Sequence, residues 1–271
     1  MLKWNNQIID QGHFPDGTLH MLLPKIESTP FSDFKVISWK YENDSELFAL
    51  TCLVKAIRRI FGKDHLLSLY MPYLPHARMD RVQGQADVFT LKYFAEIINS
   101  LNFSHVRVLD PHSHVGECLI DNLYAYTPDS YIQRAMEDCT QSEDVMLFYP
   151  DEGAMKRYSG MMKLPYMYGV KNRDWETGKI QGLSVVGNAS EVQGRNFLIV
   201  DDICSRGGTF LHSARKLKEL GAKKIYLFVS HCENAVLKGE LLDGDLIERV
   251  YTTDSIFSME HPKIEVFGIY E

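Results

Sequence analysis

Two adjacent carboxylates followed by a glycine-rich turn are the part of this sequence whose chemistry is clearest. The apolar run Phe197–Val200 leads directly into Asp201 and Asp202, and the turn Ser205–Thr209 follows shortly afterwards. Glycines let backbone N–H groups curl around an anion, and a helix starting at the turn adds positive partial charge. Neighbouring carboxylates accept hydrogen bonds from sugar hydroxyls or help to hold Mg²⁺. A strand followed by a capped helix would use similar residues, but their order favours a receptor for a ribose 5′-phosphate. The turn residues assigned to the phosphate are Ser205, Arg206, Gly207, Gly208 and Thr209.

A second candidate site contains two arginines around an acid. Arg78, Asp80 and Arg81 follow the predicted strand Leu66–Met71. Two guanidinium groups with a carboxylate between them form a compact anion-binding element, which suits a nucleotide phosphate or a stacked base. Taken alone, the same cluster also fits a salt-bridge group on an exposed loop.

Further polar candidates stand after other apolar runs. Asp110 and His112 follow one predicted strand, Asp151 follows another, and Lys171 and Arg173 open a polar stretch predicted to be a loop. Each has an ordinary alternative: satisfied residues at a strand end, a helix N-cap, or a solvated loop. Their order along the chain, not any one of them, makes them candidates.

The elements that must position these residues alternate between strands and helices. Such alternation predicts an α/β protein with mostly parallel sheets, in which ligands gather beyond the carboxyl ends of the strands. The polar segment Tyr124–Glu143 predicts a boundary between two domains, residues 1–125 and 126–271, each with its own sheet. For the last predicted strand, Ile264–Ile269, a return to the N-terminal domain is kept as an alternative. Predicted strands are Phe34–Trp39, Leu66–Met71, His105–Asp110, Val145–Tyr149, Phe197–Val200, Lys224–Ser230 and Ile264–Ile269, and predicted helices are Ser45–Phe61, Thr90–Leu101 and Gly208–Leu220.

Composition narrows the class of protein. A net charge of −7 argues against a protein that coats a nucleic acid polymer, because binding the phosphate backbone needs a basic surface. The five cysteines are scattered without a C-x-x-C pair, which predicts reduced thiols. No apolar run is long enough for a membrane span and no signal peptide is evident, so we expect a cytoplasmic protein without a membrane partner.

The acidic pair and its turn resemble the phosphoribosyl-pyrophosphate binding motif that type I phosphoribosyltransferases share with phosphoribosyl-pyrophosphate synthetases. Pro72–Arg81 is similar to the nucleotide-binding segment of the synthetases, which the transferases generally lack. Further segments resembling the synthetases are Phe14–Gly17, Asn43–Leu47, Asp110–His114, Tyr149–Gly153 and Lys171–Arg173. The resemblance implies two similar Rossmann-like domains of the type I phosphoribosyltransferase kind. It also implies a homo-oligomer, because ATP sites in that family are shared between subunits.

The resemblance implies a reaction and a role for each motif. The enzyme would move the pyrophosphoryl group of ATP onto the C1 hydroxyl of a ribose 5-phosphate unit and release AMP, with Mg²⁺ as cofactor. Lys171 and Arg173 would be catalytic, and Asp201 and Asp202 would hold the ribose together with Asp151. The implied ATP-binding residues are Phe14, Asp16, Arg78, Asp80, Arg81 and His112, and the implied metal ligands are Asp110, His112 and Asp151.

The chain departs from the synthetase pattern in ways that bear on substrate. Thr18 and Met79 replace a Glu and a Gln of the family, which leaves the nucleotide preference open. In the phosphate turn an acid of the synthetase pattern is missing and Arg206 is present, which suggests a second phosphate on the acceptor. Ribose 5-phosphate and ADP-ribose therefore both remain candidate acceptors. A type I phosphoribosyltransferase and a non-catalytic regulatory subunit of a synthetase are the alternative functions.

Overall fold

The structure is a computed structural model that describes residues 1–24, 35–139, 145–173 and 180–269. For residues 171–173 and 180–181 it describes the backbone alone. The chain divides into two compact units, Met1–Tyr126 and Thr127–Glu271. Within the described residues, no helix is both long enough and apolar enough to cross a lipid bilayer.

The N-terminal unit is built on a mostly parallel sheet with the strand order β2-β1-β5-β6-β7-β8. Strands β5 to β8 run parallel, whereas β1 and β2 are antiparallel additions and β3 with β4 forms a separate hairpin. Its elements are β1 (Leu2–Trp4), β2 (Gln7–Ile8), β3 (Asp10–His13), β4 (Leu19–Leu22), β5 (Val36–Trp39), α1 (Ser45–Phe61), β6 (Ser68–Tyr70), α2 (Thr90–Ser100), β7 (His105–Leu109), α3 (Val115–Leu119) and β8 (Leu123–Tyr126).

Helical spacing of apolar side chains explains why α1 forms and where it packs. Leu50, Leu53, Val54 and Ile57 recur three or four residues apart and are all buried. They join Trp39 and the strand residues in a single core cluster. Burying one such side chain stabilises the fold by about 1.5–3 kcal/mol, so this face specifies the position of the helix.

The C-terminal unit carries a second sheet, in the order β11-β10-β9-β12-β13-β14-β15. All neighbours are parallel except β10 and β11, which pair antiparallel. The last strand pairs with β14 in this sheet, so its return to the N-terminal domain, left open above, does not occur. Its elements are α4 (Asp129–Cys139), β9 (Val145–Tyr149), α5 (Glu152–Met162), β10 (Tyr166–Arg173), β11 (Ile180–Val186), β12 (Asn196–Cys204), α6 (Gly208–Glu219), β13 (Ile225–Cys232), β14 (Val250–Thr253) and β15 (Ile264–Phe267).

Alternation along β12 gives the C-terminal sheet a core on each face. Phe197 and Ile199 pack in a cluster with α6, whereas Leu198 and Val200 pack in a cluster with α4 and α5. β13 is buried along its whole length, as is usual for a central parallel strand covered on both sides. The α/β class with mostly parallel sheets is thus confirmed.

Two features differ from the sequence-based expectation. The polar segment Tyr124–Glu143, in which no helix was predicted, contains α4, and this helix buries Ile132 and Ala135 against the sheet. β12 continues past Val200 to Cys204, because β13 keeps supplying hydrogen-bond partners. Phe34, predicted to begin the strand observed as β5, lies outside the described residues.

Candidate active site

The acid pair lies inside β12 and not after it. Asp202 has a side chain that is only 7% exposed, and its Oδ2 lies 3.2 Å from Nη1 of Arg157 on α5. Its backbone N–H donates to Oδ1 of Asp201 at 3.0 Å. Because successive strand residues alternate between faces, Asp202 continues the side of Val200, which packs on α5. That alternation explains why an α5 side chain reaches Asp202. Sequence reasoning missed Arg157, whose position depends on how α5 packs against the sheet.

Burial and repulsion by neighbouring carboxylates determine the protonation of Asp201. Burial raises the pKa of the Asp201 carboxyl well above its ordinary value, and the negative charges of Asp202 and Asp151 raise it further. Asp201 therefore retains a proton to higher pH than a solvated aspartate would. The effect of Asp151 also indicates that all three carboxyl groups belong to one electrostatic cluster.

The raised pKa makes a testable prediction about stability. Between the ordinary value of 3.8 and the raised value, folded Asp201 binds a proton that the unfolded chain has lost. Stability contributed by this group therefore falls as pH rises, by up to about 1.4 kcal/mol per pH unit within that interval. We expect Asp201→Asn, which cannot ionise, to be more stable than wild type at neutral pH, by a margin that grows from pH 4 upwards.

Urea unfolding of both proteins across pH, in EDTA and without substrate, measures this margin. Asp245→Asn is the matched control, since Asp245 is an exposed acid of the same unit. A difference between Asp201→Asn and wild type that stayed flat or shrank with rising pH would contradict the assignment.

The glycine turn after β12 is shaped by a neighbouring segment. Gly207 has φ +82 and is the N-cap of α6, without a side-chain cap. A Cβ at Gly207 would lie 2.6 Å from Cβ of Leu241, and one at Gly239 would lie 2.1 Å from the carbonyl oxygen of Arg206. The first N–H groups of a helix have no intrahelical acceptor and carry positive partial charge. The start of α6 is therefore suited to an anion.

The side chains around this turn leave one cation facing solvent. Arg206 is exposed and forms no ion pair with any residue in the described ranges. Ser205 and Thr209 are half-buried on either side of the glycines. Pairing of Arg206 with a surface acid, the ordinary role of an exposed arginine, is therefore not seen among the described residues.

Asp151 combines a structural role with a position near the acid pair. It precedes α5 and its Oδ1 accepts a hydrogen bond from the N–H of Ala154 at 3.1 Å, as a helix N-cap does. It follows β9, the neighbour of β12 in the sheet. Carboxyl ends of neighbouring parallel strands meet at one edge, which accounts for its effect on the pKa of Asp201.

Lys171 and Arg173 were predicted to lie in a loop, and their backbone is instead part of β10. Lys171 pairs with Leu183 and Arg173 with Ile180 in an antiparallel ladder, with a register shift between Asn172 and Arg173. Cross-strand pairing overrides the polar sequence of an edge hairpin. The side chains of both cations, and residues 174–179 of the predicted catalytic loop, lie outside the described residues.

The N-terminal unit brings two of its candidate segments to one sheet edge. The loop with Arg78, Asp80 and Arg81 follows β6, and the one with Asp110 follows the neighbouring parallel strand β7. Arg78 is exposed, and Nε of the exposed Arg81 lies 3.6 Å from Oδ1 of the mostly buried Asp80. Gly116 on α3 approaches the first loop so closely that an added Cβ would lie 2.5 Å from Cδ2 of Leu74.

Asp110 and His112 occupy the second of these loops. Asp110 is buried, has φ 42, and donates its backbone N–H to the carbonyl of Tyr126 at 2.9 Å. His112 is half-buried two residues later. A left-handed backbone conformation at a non-glycine residue ends β7 with a sharp turn, which directs the following residues away from the strand.

The remaining candidates, Phe14 and Asp16, lie at the tip of the β3–β4 hairpin. Phe14 is 52% exposed. Oδ1 of Asp16 accepts hydrogen bonds from the backbone N–H and the hydroxyl of Thr18, at 3.0 and 2.7 Å. These bonds lower the pKa of Asp16, the backbone bond most. Thr18, which replaces the Glu of the synthetases, thus stabilises the turn.

The acids offer oxygen donors that suit Mg²⁺ but no complete cage. Within the described part of the chain, no three His, Cys, Asp or Glu side chains converge on a common metal position. Mg²⁺ in nucleotide enzymes usually retains water and phosphate ligands and takes only one or two carboxylates from the protein. Asp110 and His112 in the N-terminal unit, and Asp151 in the C-terminal unit, each offer side-chain donors of the kind that this mode uses.

Comparisons with known proteins point to one family. Residues 174–267 match the family described as phosphoribosyl synthetase-associated domain. The chain is 27% identical over 243 residues to a ribose-phosphate pyrophosphokinase of Saccharolobus solfataricus, covering 85% of this chain and 77% of that protein. It is 26% identical to the Bacillus subtilis ribose-phosphate pyrophosphokinase, covering 83% and 70% of the two chains. The crystal structure of a phosphoribosylpyrophosphate synthetase from Mycobacterium smegmatis has the same fold, with a TM-score of 0.76 at 18% identity over 97% of this chain and 86% of that one.

Proposed function

We propose that this chain is a member of the phosphoribosyl-pyrophosphate synthetase family and a diphosphokinase that transfers the β,γ-pyrophosphoryl group of ATP to a ribose 5-phosphate unit. The C1 hydroxyl of the acceptor attacks the β-phosphorus, the bond to the α-phosphate oxygen breaks, and AMP leaves. The observation that carries the proposal is the acid pair of β12, of which Asp202 is buried, followed by the start of α6, which has no side-chain cap.

The C-terminal unit would bind the acceptor. Backbone N–H groups of the turn, at the positive end of α6, suit the 5′-phosphate because the glycines leave room for close approach. Asp201 and Asp202 would accept hydrogen bonds from the 2′- and 3′-hydroxyls, and Asp151 lies in the same acid cluster. Holding the sugar in one orientation would lower the entropic cost of the reaction.

The remaining candidates would bind and activate the nucleotide. Lys171 and Arg173 would neutralise charge on the transferred oxygens, since phosphoryl-type transfer depends on positioning and electrostatics. Mg²⁺ bound to the triphosphate would supply further positive charge, held by Asp110, His112 and Asp151 with water. The other groups proposed to contact ATP are Phe14, Asp16, Arg78, Asp80, Arg81 and His112.

The direct test is AMP formation from ATP and Mg²⁺, with ribose 5-phosphate and ADP-ribose supplied separately. We expect one AMP for each pyrophosphorylated product with at least one acceptor, followed by ³¹P NMR, and no AMP in EDTA. Release of pyrophosphate from phosphoribosyl pyrophosphate with a nucleobase would indicate a transferase instead. Absence of turnover with both acceptors would indicate a non-catalytic subunit.

The exposed guanidinium of Arg206, which has no ion pair among the described residues, favours an acceptor with a second phosphate, such as ADP-ribose. Removing a charge-assisted hydrogen bond costs about 1.5–3 kcal/mol, so we expect Arg206→Ala to raise KM for ADP-ribose at least about tenfold. KM for ribose 5-phosphate should change less than about threefold. Arg215→Ala is the control, because Arg215 is an exposed α6 arginine that pairs with Glu240.

Steady-state kinetics with each acceptor gives the answer. An equal rise in KM for both acceptors would place Arg206 at the shared 5′-phosphate, and no change for either would remove its role in substrate choice.

A further inference from the structure

Arg157 connects the acid pair to a helix that the proposed reaction does not otherwise use. It lies in the second turn of α5, with its Nη1 3.2 Å from Oδ2 of Asp202. The side chain of Asp202 is 7% exposed and that of Arg157 is 25% exposed. A carboxylate removed from water to this extent stays ionised only when a cation and hydrogen bonds replace the lost solvation.

The guanidinium of Arg157 also lies near a buried aromatic ring. Its central carbon lies 5.7 Å from the ring centre of Tyr158, which is fully buried. The ring of Tyr158 stacks on that of Tyr149 at 6.2 Å, at the end of β9. Arg157 is thus fixed by the core beneath it, and its position reports the packing of α5 on the sheet.

The start of the same helix is also tied to the acid cluster. Asp151 caps α5 through the N–H of Ala154, and its charge acts on Asp201. The charged groups at this acid pair include Asp151, the N-cap of α5, and Arg157 within α5. Arg157 is a cation and pairs directly with Asp202.

We propose that Arg157 is a positioning residue for the acceptor: it holds the Asp202 carboxylate ionised and oriented, so that Asp202 can accept a hydrogen bond from a hydroxyl of the ribose. This inference rests on the proposed function of the acid pair. Arg157 acts through Asp202 and needs no contact with the sugar.

The prediction is a loss of acceptor affinity that depends on Asp202. Arg157→Met keeps the aliphatic length but removes the charge, and we expect it to raise KM for the acceptor about 10- to 100-fold. The effect on kcat should be smaller, and Arg157→Lys should restore part of the affinity. In the double variant Arg157→Met with Asp202→Asn, the KM should be no worse than for Asp202→Asn alone, because the cation then has no charge to hold.

Steady-state kinetics on the four variants, with thermal unfolding of each, tests this. Arg215→Met is the matched control, since it removes an exposed α6 ion pair of the same unit. Losses that add in the double variant, or an unchanged KM with a lowered melting temperature, would show that Arg157 only stabilises the fold and would overturn the proposal.

Measuring acceptor binding distinguishes a failure of this positioning role from a failure of the proposed reaction. If wild type formed no AMP with either acceptor, the reaction would be wrong, and the same variants would be compared by calorimetric binding of ribose 5-phosphate. Weaker binding by Arg157→Met but not by Arg215→Met would still support positioning. Equal binding by both, or no binding by wild type, would refute it.

Discussion

Replacing Lys171 with alanine is expected to lower kcat for AMP formation by on the order of 10²–10³, the usual loss on removing one electrostatic donor from a transition state. The proposed role requires the cation only when charge spreads over the transferred oxygens. ATP affinity should therefore stay near wild type, because the ground state gains little from this lysine. Single-turnover kinetics and equilibrium binding of a non-hydrolysable ATP analogue measure the two quantities.

The fold should survive this substitution. Lys171 belongs to the β10–β11 ladder, whose hydrogen bonds come from the backbone and are retained by alanine. Lys216→Ala is the control, because Lys216 is an α6 lysine that pairs with Glu219. Near-normal turnover by Lys171→Ala, or a parallel loss of melting temperature and activity, would contradict a catalytic role. Arg173→Ala should show the same separation of kcat from binding.

Replacing Gly207 with alanine is expected to weaken acceptor binding strongly and to destabilise the C-terminal unit. The backbone there has φ +82, which costs an L-residue about 1–2 kcal/mol. The new Cβ would also lie 2.6–2.9 Å from three side-chain carbons of Leu241, and overpacking of this kind costs about 1–3 kcal/mol. We therefore expect a loss of about 3 kcal/mol in the free energy of unfolding. KM for the acceptor should rise at least about 100-fold as the turn distorts, the cost of losing charge-assisted bonds to one phosphate.

The adjacent glycine provides the matched control. A Cβ at Gly208 would meet no heavy atom within 4 Å, and its backbone is not in the left-handed region. Gly208→Ala should thus unfold within about 1 kcal/mol of wild type, as surface substitutions usually do. Urea unfolding of both variants decides the issue. Equal stability of the two variants would mean that the contact with Leu241 does not constrain the conformation of the turn.

Local periodicity was enough to predict the elements whose apolar faces are continuous. The helices α1, α2 and α6 lie where the spacing of residues such as Leu211, Ala214 and Leu217 predicted them, because a stripe at helical spacing needs a core to cover it. Strand–helix alternation likewise predicted the parallel sheets. Both signals depend only on residues close in sequence.

Features that depend on pairing between distant segments were not predictable in the same way. The β10–β11 hairpin looks like a polar loop, because edge strands can carry polar side chains when the ladder satisfies their backbone. α4 was missed because its buried face is short, with Ile132 and Ala135 among polar neighbours. Arg157 gave no sequence signal either, since its contact with Asp202 exists only once α5 packs on β12.

The candidate site likewise has features that follow from local sequence and features that depend on distant segments. The residue types around Asp201 predicted an anion receptor from order alone, whereas the protonation of that acid depends on burial and on Asp151 from a different strand end. The N-cap role of Asp151 was one of two readings of the sequence, and the bond to Ala154 now accounts for it structurally. Assignment of a metal ligand role to the same carboxylate remains a prediction.

The close approach of Gly239 to the Arg206 carbonyl has a consequence for how this chain can vary. A side chain of any size at position 239 would push the peptide of Arg206 and tilt the amides that follow it. The shape of the turn thus depends on the segment around Gly239, which need not contact a substrate. Changing the turn alone to alter the acceptor preference would leave the constraint from Gly239 in place. A redesign therefore has to change the turn and the segment around Gly239 together.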